Sequence, residues 1–199
     1  MFENLRWLGS RESPYGVACL DCREFSRNML STTGDPRVAM HFGQSRDSTG
    51  EEYRGKTPPD PISVNCDLRY PYKGPEGDGP LFKASVMEDK WDIYLHDGYL
   101  YFVRSWTGNM VFRAKADLGG QGLAITSIEA DAQAASSDPG FIVRQVDFLV
   151  KSHVCGLELP HPLPADLPDD TESVVVYSFG QYGRRASFAT YEDTTHLNV

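Results

Sequence analysis

Cysteine is scarce in this 199-residue chain: four residues, Cys19, Cys22, Cys66 and Cys155, unevenly spread. That excludes a disulfide framework and suits free thiols in a reducing cytoplasm. Long apolar runs are missing too. No stretch approaches the roughly 18 apolar residues of a membrane-spanning helix. The opening stretch, MFENLRWLGSRESPYG, lacks the apolar core of a secretory signal. Positive charge is in short supply: 19 Lys and Arg against 28 Asp and Glu give a net charge of -9. This balance opposes nucleic acid, whose affinity comes from neutralising phosphates, and opposes an anionic membrane surface. Catalytic signatures are absent as well. There is no GxSxG nucleophile elbow, no HExxH and no phosphate-cradling GxxxxGK[ST]. Gly74–Gly79 lacks the dinucleotide spacing. No metal and no cofactor are expected.

What is present is ordinary globular material. Hydrophobic residues make up 40% of the chain, enough for a core without disulfide or metal staples. The reading is a single α+β domain over 1–199, with residues 1–60 as a helical and loop extension.

The best-patterned stretch is 91–116, WDIYLHDGYLYFVRSWTGNMVFRAKA. Asp97-Gly98 is a strong two-residue hairpin signal. It sets Leu95 opposite Leu100, Ile93 opposite Phe102 and Trp91 opposite Arg104 on one face, with His96 opposite Tyr99 and Tyr94 opposite Tyr101 on the other. A three-residue loop at Thr107-Gly108-Asn109 then places Arg104 against Phe112 and Phe102 against Ala114. A two-residue loop would oppose Arg104 to Arg113, which is unfavourable. A fourth strand, 123–130, follows the glycine loop 119–122, so 91–130 reads as a β-meander.

Around this core, Gly16–Leu20 is either a short strand or the lead into a helix, and 22–30 reads as helical. Asp35-Pro36 opens a short helix over 37–44. Residues 45–61 and 73–80 read as loops, the first long and exposed, with strands at 62–70 and 81–87. Asp138-Pro139 opens one long helix, about 139–155, stopped by Gly156 and packed on the sheet. Arg144, Asp147 and Lys151 form a polar stripe along it. The proline-rich 157–170 is expected to be extended without ladder bonds. A C-terminal hairpin is expected from 174–179 and 185–191.

Arg104 stands out because it shares parity with Leu100, Phe102 and Trp106 on the apolar face. A buried guanidinium keeps its charge and needs a partner. One reading is structural: Arg104 stacked on Trp91 or Trp106 and paired to an internal carboxylate. The other is a site in which Arg104, Trp106, Trp91, Ser105 and Thr107 line a pocket for an anionic or planar ligand, with His96 near by. Other candidates carry bland readings. Cys19-Leu20-Asp21-Cys22 lacks a second ligand pair for zinc and a redox-fold context. His153 falls in the last helical turn, where a cation is favoured. His161, between two prolines, has no evident partner, and His41 falls on the short helix 37–44 beside the inward Val38 and Phe42. The acidic pairs 51–52, 88–89 and 169–170 read as solvated surface. Gly183-Arg184-Arg185 is a small basic loop that reads first as an exposed turn, with an acidic partner or a phosphate as the alternative.

The run from Trp91 through Tyr101-Phe-Val-Arg-Ser-Trp-Thr-Gly108 resembles uncharacterised bacterial proteins in which an aromatic strand leads into an Arg-Ser-Trp-Thr-Gly turn. Cys66–Tyr72 and Arg144–Pro164 are similar to the same proteins. The resemblance implies a bacterial origin and a shared fold, and no reaction. The functional expectation is a non-enzymatic cytoplasmic interaction or ligand-binding module, taking a small anionic ligand or a protein partner around Arg104–Trp106. The rival is a hydrolase or transferase acting on an anionic small molecule.

Overall fold

The computed structural model describes residues 5–74, 77–119 and 122–197. In chain order the elements are β1 (Trp7–Leu8), β2 (Cys19–Asp21), α1 (Arg23–Asn28), α2 (Pro36–Gln44), β3 (Pro61–Tyr70), β4 (Gly79–Phe82), β5 (Trp91–His96), β6 (Tyr99–Arg104), β7 (Met110–Gly119), β8 (Gly122–Asp131), α3 (Pro139–Leu149), β9 (Pro160–Pro162), α4 (Thr171–Tyr182) and β10 (Phe188–Thr190). The class is α+β. A six-stranded antiparallel sheet runs in the order β3-β8-β7-β6-β5-β4. A smaller mixed sheet, β1-β2-β10-β9, has one parallel pair, β10 with β9. Pro75, Glu76, Gly120 and Gln121, in two of the expected loops, lie outside the described residues.

The β5–β6 hairpin has the register expected from sequence, from Trp91↔Arg104 to His96↔Tyr99. Asp97 (φ 49°) and Gly98 (φ 72°) are both left-handed, as a type I′ turn requires. The next register differs from expectation. Phe102 faces Phe112, not Ala114, and a bulge then sets Val103 opposite Met110. The Arg104 amide closes the loop on the Asn109 carbonyl at 2.9 Å. The bulge absorbs the residue that a plain ladder would have spent on opposing Arg104 to a partner in β7.

Both faces of the sheet are covered, so every residue of β5 is buried. On one face Trp91, Ile93, Leu100, Phe102 and Phe112 pack against Ile142, Val146 and Leu149 of α3 and against Tyr182. On the other, Tyr94, Tyr101, Val103 and Met110 pack against Tyr53. Segment 45–61, expected to be an exposed loop, therefore serves as a cover. Gly50 (φ 81°) lies so close that a Cβ would enter the Tyr94 ring, and the Gly55 amide donates to the Tyr101 hydroxyl at 3.0 Å.

The single long helix is also corrected. α3 starts where expected, with Asp138 capping the Gly140 amide at 2.9 Å. The α-helix stops at Leu149, and 150–154 forms a π-turn. There the Ser152 hydroxyl donates to the Phe148 carbonyl at 2.6 Å, a competitor for the regular ladder, and the Cys155 amide reaches back five residues to Val150. The C-terminal hairpin is overturned: 174–179 lies inside α4, and only 188–190 is strand. Asp170 caps the Ser173 amide at 2.9 Å, and Val174, Val175, Ser178, Phe179 and Tyr182 repeat with helical period on the buried face. The proline-rich segment pairs after all, through β9. It sits at the sheet edge, where proline is tolerated.

Candidate functional site

The Arg-Ser-Trp-Thr-Gly turn acts on two neighbouring segments. Arg104 Nη2 donates to the Gly180 carbonyl at 2.7 Å, and Nη1 to the Gln181 carbonyl at 3.0 Å. Its guanidinium lies 4.8 Å over the Trp91 ring, whose Nε1 also donates to the Gln181 carbonyl, at 2.7 Å. The stacking partner is one of the two expected. The acceptors are the carbonyls ending α4 rather than a carboxylate. These carbonyls have no intrahelical donor and carry the negative end of the helix dipole, so a cation is favourable there. Burial pulls the Arg104 pKa down to about 10, which leaves it charged at neutral pH.

Ser105 and Trp106 hold a second segment, 86–90. The Ser105 hydroxyl donates to the Asp89 carbonyl and Trp106 Nε1 to the Met87 carbonyl, both at 2.7 Å. Trp106 also covers Lys90, whose Nζ is 4.3 Å from the ring centroid. Burial, with Arg104 near by, pulls the Lys90 pKa down to about 8. Thr107 is exposed. Gly108 (φ 71°) approaches His41 and Tyr53 so closely that a Cβ would collide with the imidazole. Arg104, Trp91, Ser105 and Trp106 thus form one cluster. His96 does not join it. It sits at the opposite end of β5, with Nε2 2.9 Å from the Thr49 carbonyl.

The segments clasped by the turn adjoin a cleft: one supplies Asp89, and the other runs on into Arg184 and Arg185. Gly183 (φ 58°) presses onto the Glu88 carbonyl, and the Arg184 amide donates to the same carbonyl at 3.2 Å. Arg185 Nη1 donates to the Ser152 carbonyl of the π-turn at 3.0 Å, with its guanidinium 5.4 Å over Phe82. Arg184, Arg185 and Arg27 of α1 line a cleft of about 330 Å³ with Ser187, Asp89 and Glu158. The existing ion pairs of these arginines are long: Arg27–Glu158 at 3.5 Å and Arg184–Glu88 at 3.7 Å. Neither is the tight two-pronged pairing that guanidinium and carboxylate can make. The Ser31 amide holds the Glu88 carboxyl below its ordinary range, with Arg184 contributing.

The remaining candidates settle differently. Burial raises both thiols of the CxxC, Cys22 to about 12, the opposite of an activated cysteine. His153, expected as a helix-end cation, is neutral instead: burial first, then Arg185, push its pKa to about 3. His161 is equally buried and lowered to about 3, with Nε2 2.7 Å from the Ser178 hydroxyl. Among the described residues no cluster of His, Cys, Asp or Glu has the makings of a metal site, and no helix is long and apolar enough to cross a membrane.

Sequence reasoning missed two features. Arg27 joins Arg184 and Arg185 only through the tertiary fold, and nothing local signals it. Asp147 and Lys151, two members of the expected polar stripe, are a buried ion pair at 2.8 Å, with the Tyr70 hydroxyl on Asp147 at 3.0 Å. No family model, curated protein or solved structure matches this chain.

Proposed function

We propose that this chain is a non-enzymatic binding module of the bacterial cytoplasm that holds a small anionic ligand in the cleft of Arg27, Arg184 and Arg185. The observation carrying this reading is that three arginines, against the two carboxylates of Asp89 and Glu158, line one cleft in a chain of net charge -9. Arginine is the side chain best shaped for carboxylate or phosphate, since its planar fork donates parallel hydrogen bonds. A cleft of about 330 Å³ is at the small end of ligand sites, which favours a compact anion over an extended molecule. In this reading Arg104, Trp91, Ser105 and Trp106 are the frame that holds the segments leading into Asp89 and into Arg184 and Arg185.

The test is thermal denaturation at low ionic strength with inorganic phosphate, pyrophosphate and citrate. A ligand that binds only the folded state raises the melting temperature with concentration. The expected result is a saturable rise with at least one anion, lost in Arg184→Ala/Arg185→Ala and kept in Arg46→Ala, on the surface elsewhere. No rise with any of the three, or an equal rise in the double variant, defeats the proposal.

A further inference from the structure

The walls of the arginine cleft carry both signs of charge. Against Arg27, Arg184 and Arg185 stand the carboxylates of Asp89 and Glu158. Three positive groups against two negative ones leave the walls with one net positive charge. Glu88, the other carboxylate near Arg184, is not part of the lining and accepts from the Ser31 amide at 2.9 Å.

Neither wall carboxylate is saturated by its neighbours. Asp89 Oδ2 accepts from the Ser85 amide at 3.0 Å, the Ser85 hydroxyl at 3.2 Å and the Val86 amide at 3.4 Å. These bonds fix the group through one oxygen, and Oδ1 makes no hydrogen bond among the described residues. The Glu158 main chain is held by the Tyr15 hydroxyl, which donates to its carbonyl at 3.1 Å. Its carboxylate is 45% exposed and meets only Arg27, at 3.5 Å. A pair so exposed costs little to open. On the basic side, Arg185 is anchored by Nη1 on the Ser152 carbonyl, and its Nη2 makes no hydrogen bond among the described residues.

Two carboxylates in the walls repel a ligand that carries negative charge alone, and they attract one that also carries an ammonium. We infer that the cleft takes an acidic α-amino acid, with its two carboxylates on the arginines and its ammonium on Asp89 and Glu158. Such a ligand carries two negative groups and one positive, so its one net negative charge complements the walls. This inference rests on the reading of the cleft as an anion site and adds the group that selects among anions.

The test is calorimetric titration of the full chain with L-glutamate, L-aspartate and glutarate at matched ionic strength. Glutarate is glutamate without its ammonium. It carries one more net negative charge, so attraction to the arginines alone would favour it. A charge-assisted bond from the ammonium should make glutamate or aspartate bind roughly tenfold or more tightly than glutarate. Glu158→Gln, at an exposed position, should lower that preference about threefold. Asp89→Asn/Glu158→Gln should remove the preference and keep glutarate binding, which shows that the double variant is folded. Glutarate binding as tightly as both amino acids, or a preference unchanged in both variants, overturns the inference and leaves the anion site standing. No binding of either amino acid also overturns it. The anion site falls with it only if phosphate, pyrophosphate and citrate fail to raise the melting temperature as well.

Discussion

Arg104 and Gly180 meet at 2.7 Å, guanidinium to helix-terminal carbonyl, and this bond ties the end of a strand to the end of α4. The basic loop 183–185 begins immediately beyond. A side chain that the sequence marks as a possible ligand contact thus acts one step back, on the backbone that carries Arg184 and Arg185.

Arg104→Met tests that role. Charge-assisted hydrogen bonds of this kind contribute about 1.5–3 kcal/mol each, and water replaces part of the loss at a half-buried position. A net destabilisation of about 2 kcal/mol is expected, a fall in Tm of roughly 4–8 °C for a chain this size. Arg104→Lys should restore little, since one ammonium cannot reproduce the two-pronged bond to successive carbonyls. Urea and thermal denaturation read the effect. A variant as stable as the parent would show that Arg104 does not hold α4.

Gly183 and Gly180 make an opposed pair. Gly183 has φ 58° and ψ -132°, a region open almost only to glycine, and an added Cβ would strike the Glu88 carbonyl. Gly183→Ala should cost at least about 2 kcal/mol from strain and collision and displace the basic loop. Gly180 lies inside α4 with nothing within 4 Å of its absent Cβ. Gly180→Ala should stabilise by about 0.5–1 kcal/mol. Equal effects of the two substitutions would contradict the packing of 183 on 88.

The β5–β6 hairpin is legible in the sequence because its determinants are local: a turn that only Asp-Gly chemistry favours, and alternation that fixes the face of each residue. The bulge after Phe102 is not, because it depends on how Arg104 is satisfied by α4, some seventy residues later. α4 itself reads as strand because Val174-Val175-Val176 favours strand by propensity, while the Asp170 cap and the spacing to Phe179 and Tyr182 carry the helical signal. Burial on both sheet faces removes the polar alternation that would mark segment 45–61 as a cover. The arginine cleft draws on α1 and on the loop after α4, a pairing that leaves no mark on sequence spacing.

Stability should fall on mild acidification. His153 and His161 are held neutral in the fold, each with a pKa of about 3, against about 6.5 in an unfolded chain. Between those values the unfolded state binds more protons than the native one, so stability is present above about pH 6.5 and is lost as pH drops. Each histidine contributes up to about 1.4 kcal/mol per pH unit once well below 6.5. Between pH 6.5 and 5 most carboxylates stay ionised, so the slope belongs mainly to these two groups. Urea titrations at pH 7, 6 and 5 should show it, and His161→Gln should roughly halve it. A flat profile across that window would mean the imidazoles are not sealed from solvent.

The Asp147–Lys151 pair offers a cycle rather than a single substitution. Both partners are 3% exposed, so removing one strands the other as an unpaired buried charge, which costs about 3–5 kcal/mol. Burial already pushes the Asp147 carboxyl up, and without Lys151 it loses the neighbour that opposes that rise. Lys151→Met alone should therefore destabilise strongly, and the loss should shrink toward low pH as Asp147 takes up a proton. Asp147→Asn alone leaves the ammonium with only the Thr194 and Thr195 carbonyls and the same kind of penalty. In the double variant no charge is left buried, and the amide introduced by Asp147→Asn keeps an oxygen that can accept from the Tyr70 hydroxyl. Most of the single-variant loss should then be recovered, with a coupling of about 2 kcal/mol or more in the cycle. Additive losses would place the two charges in contact with water.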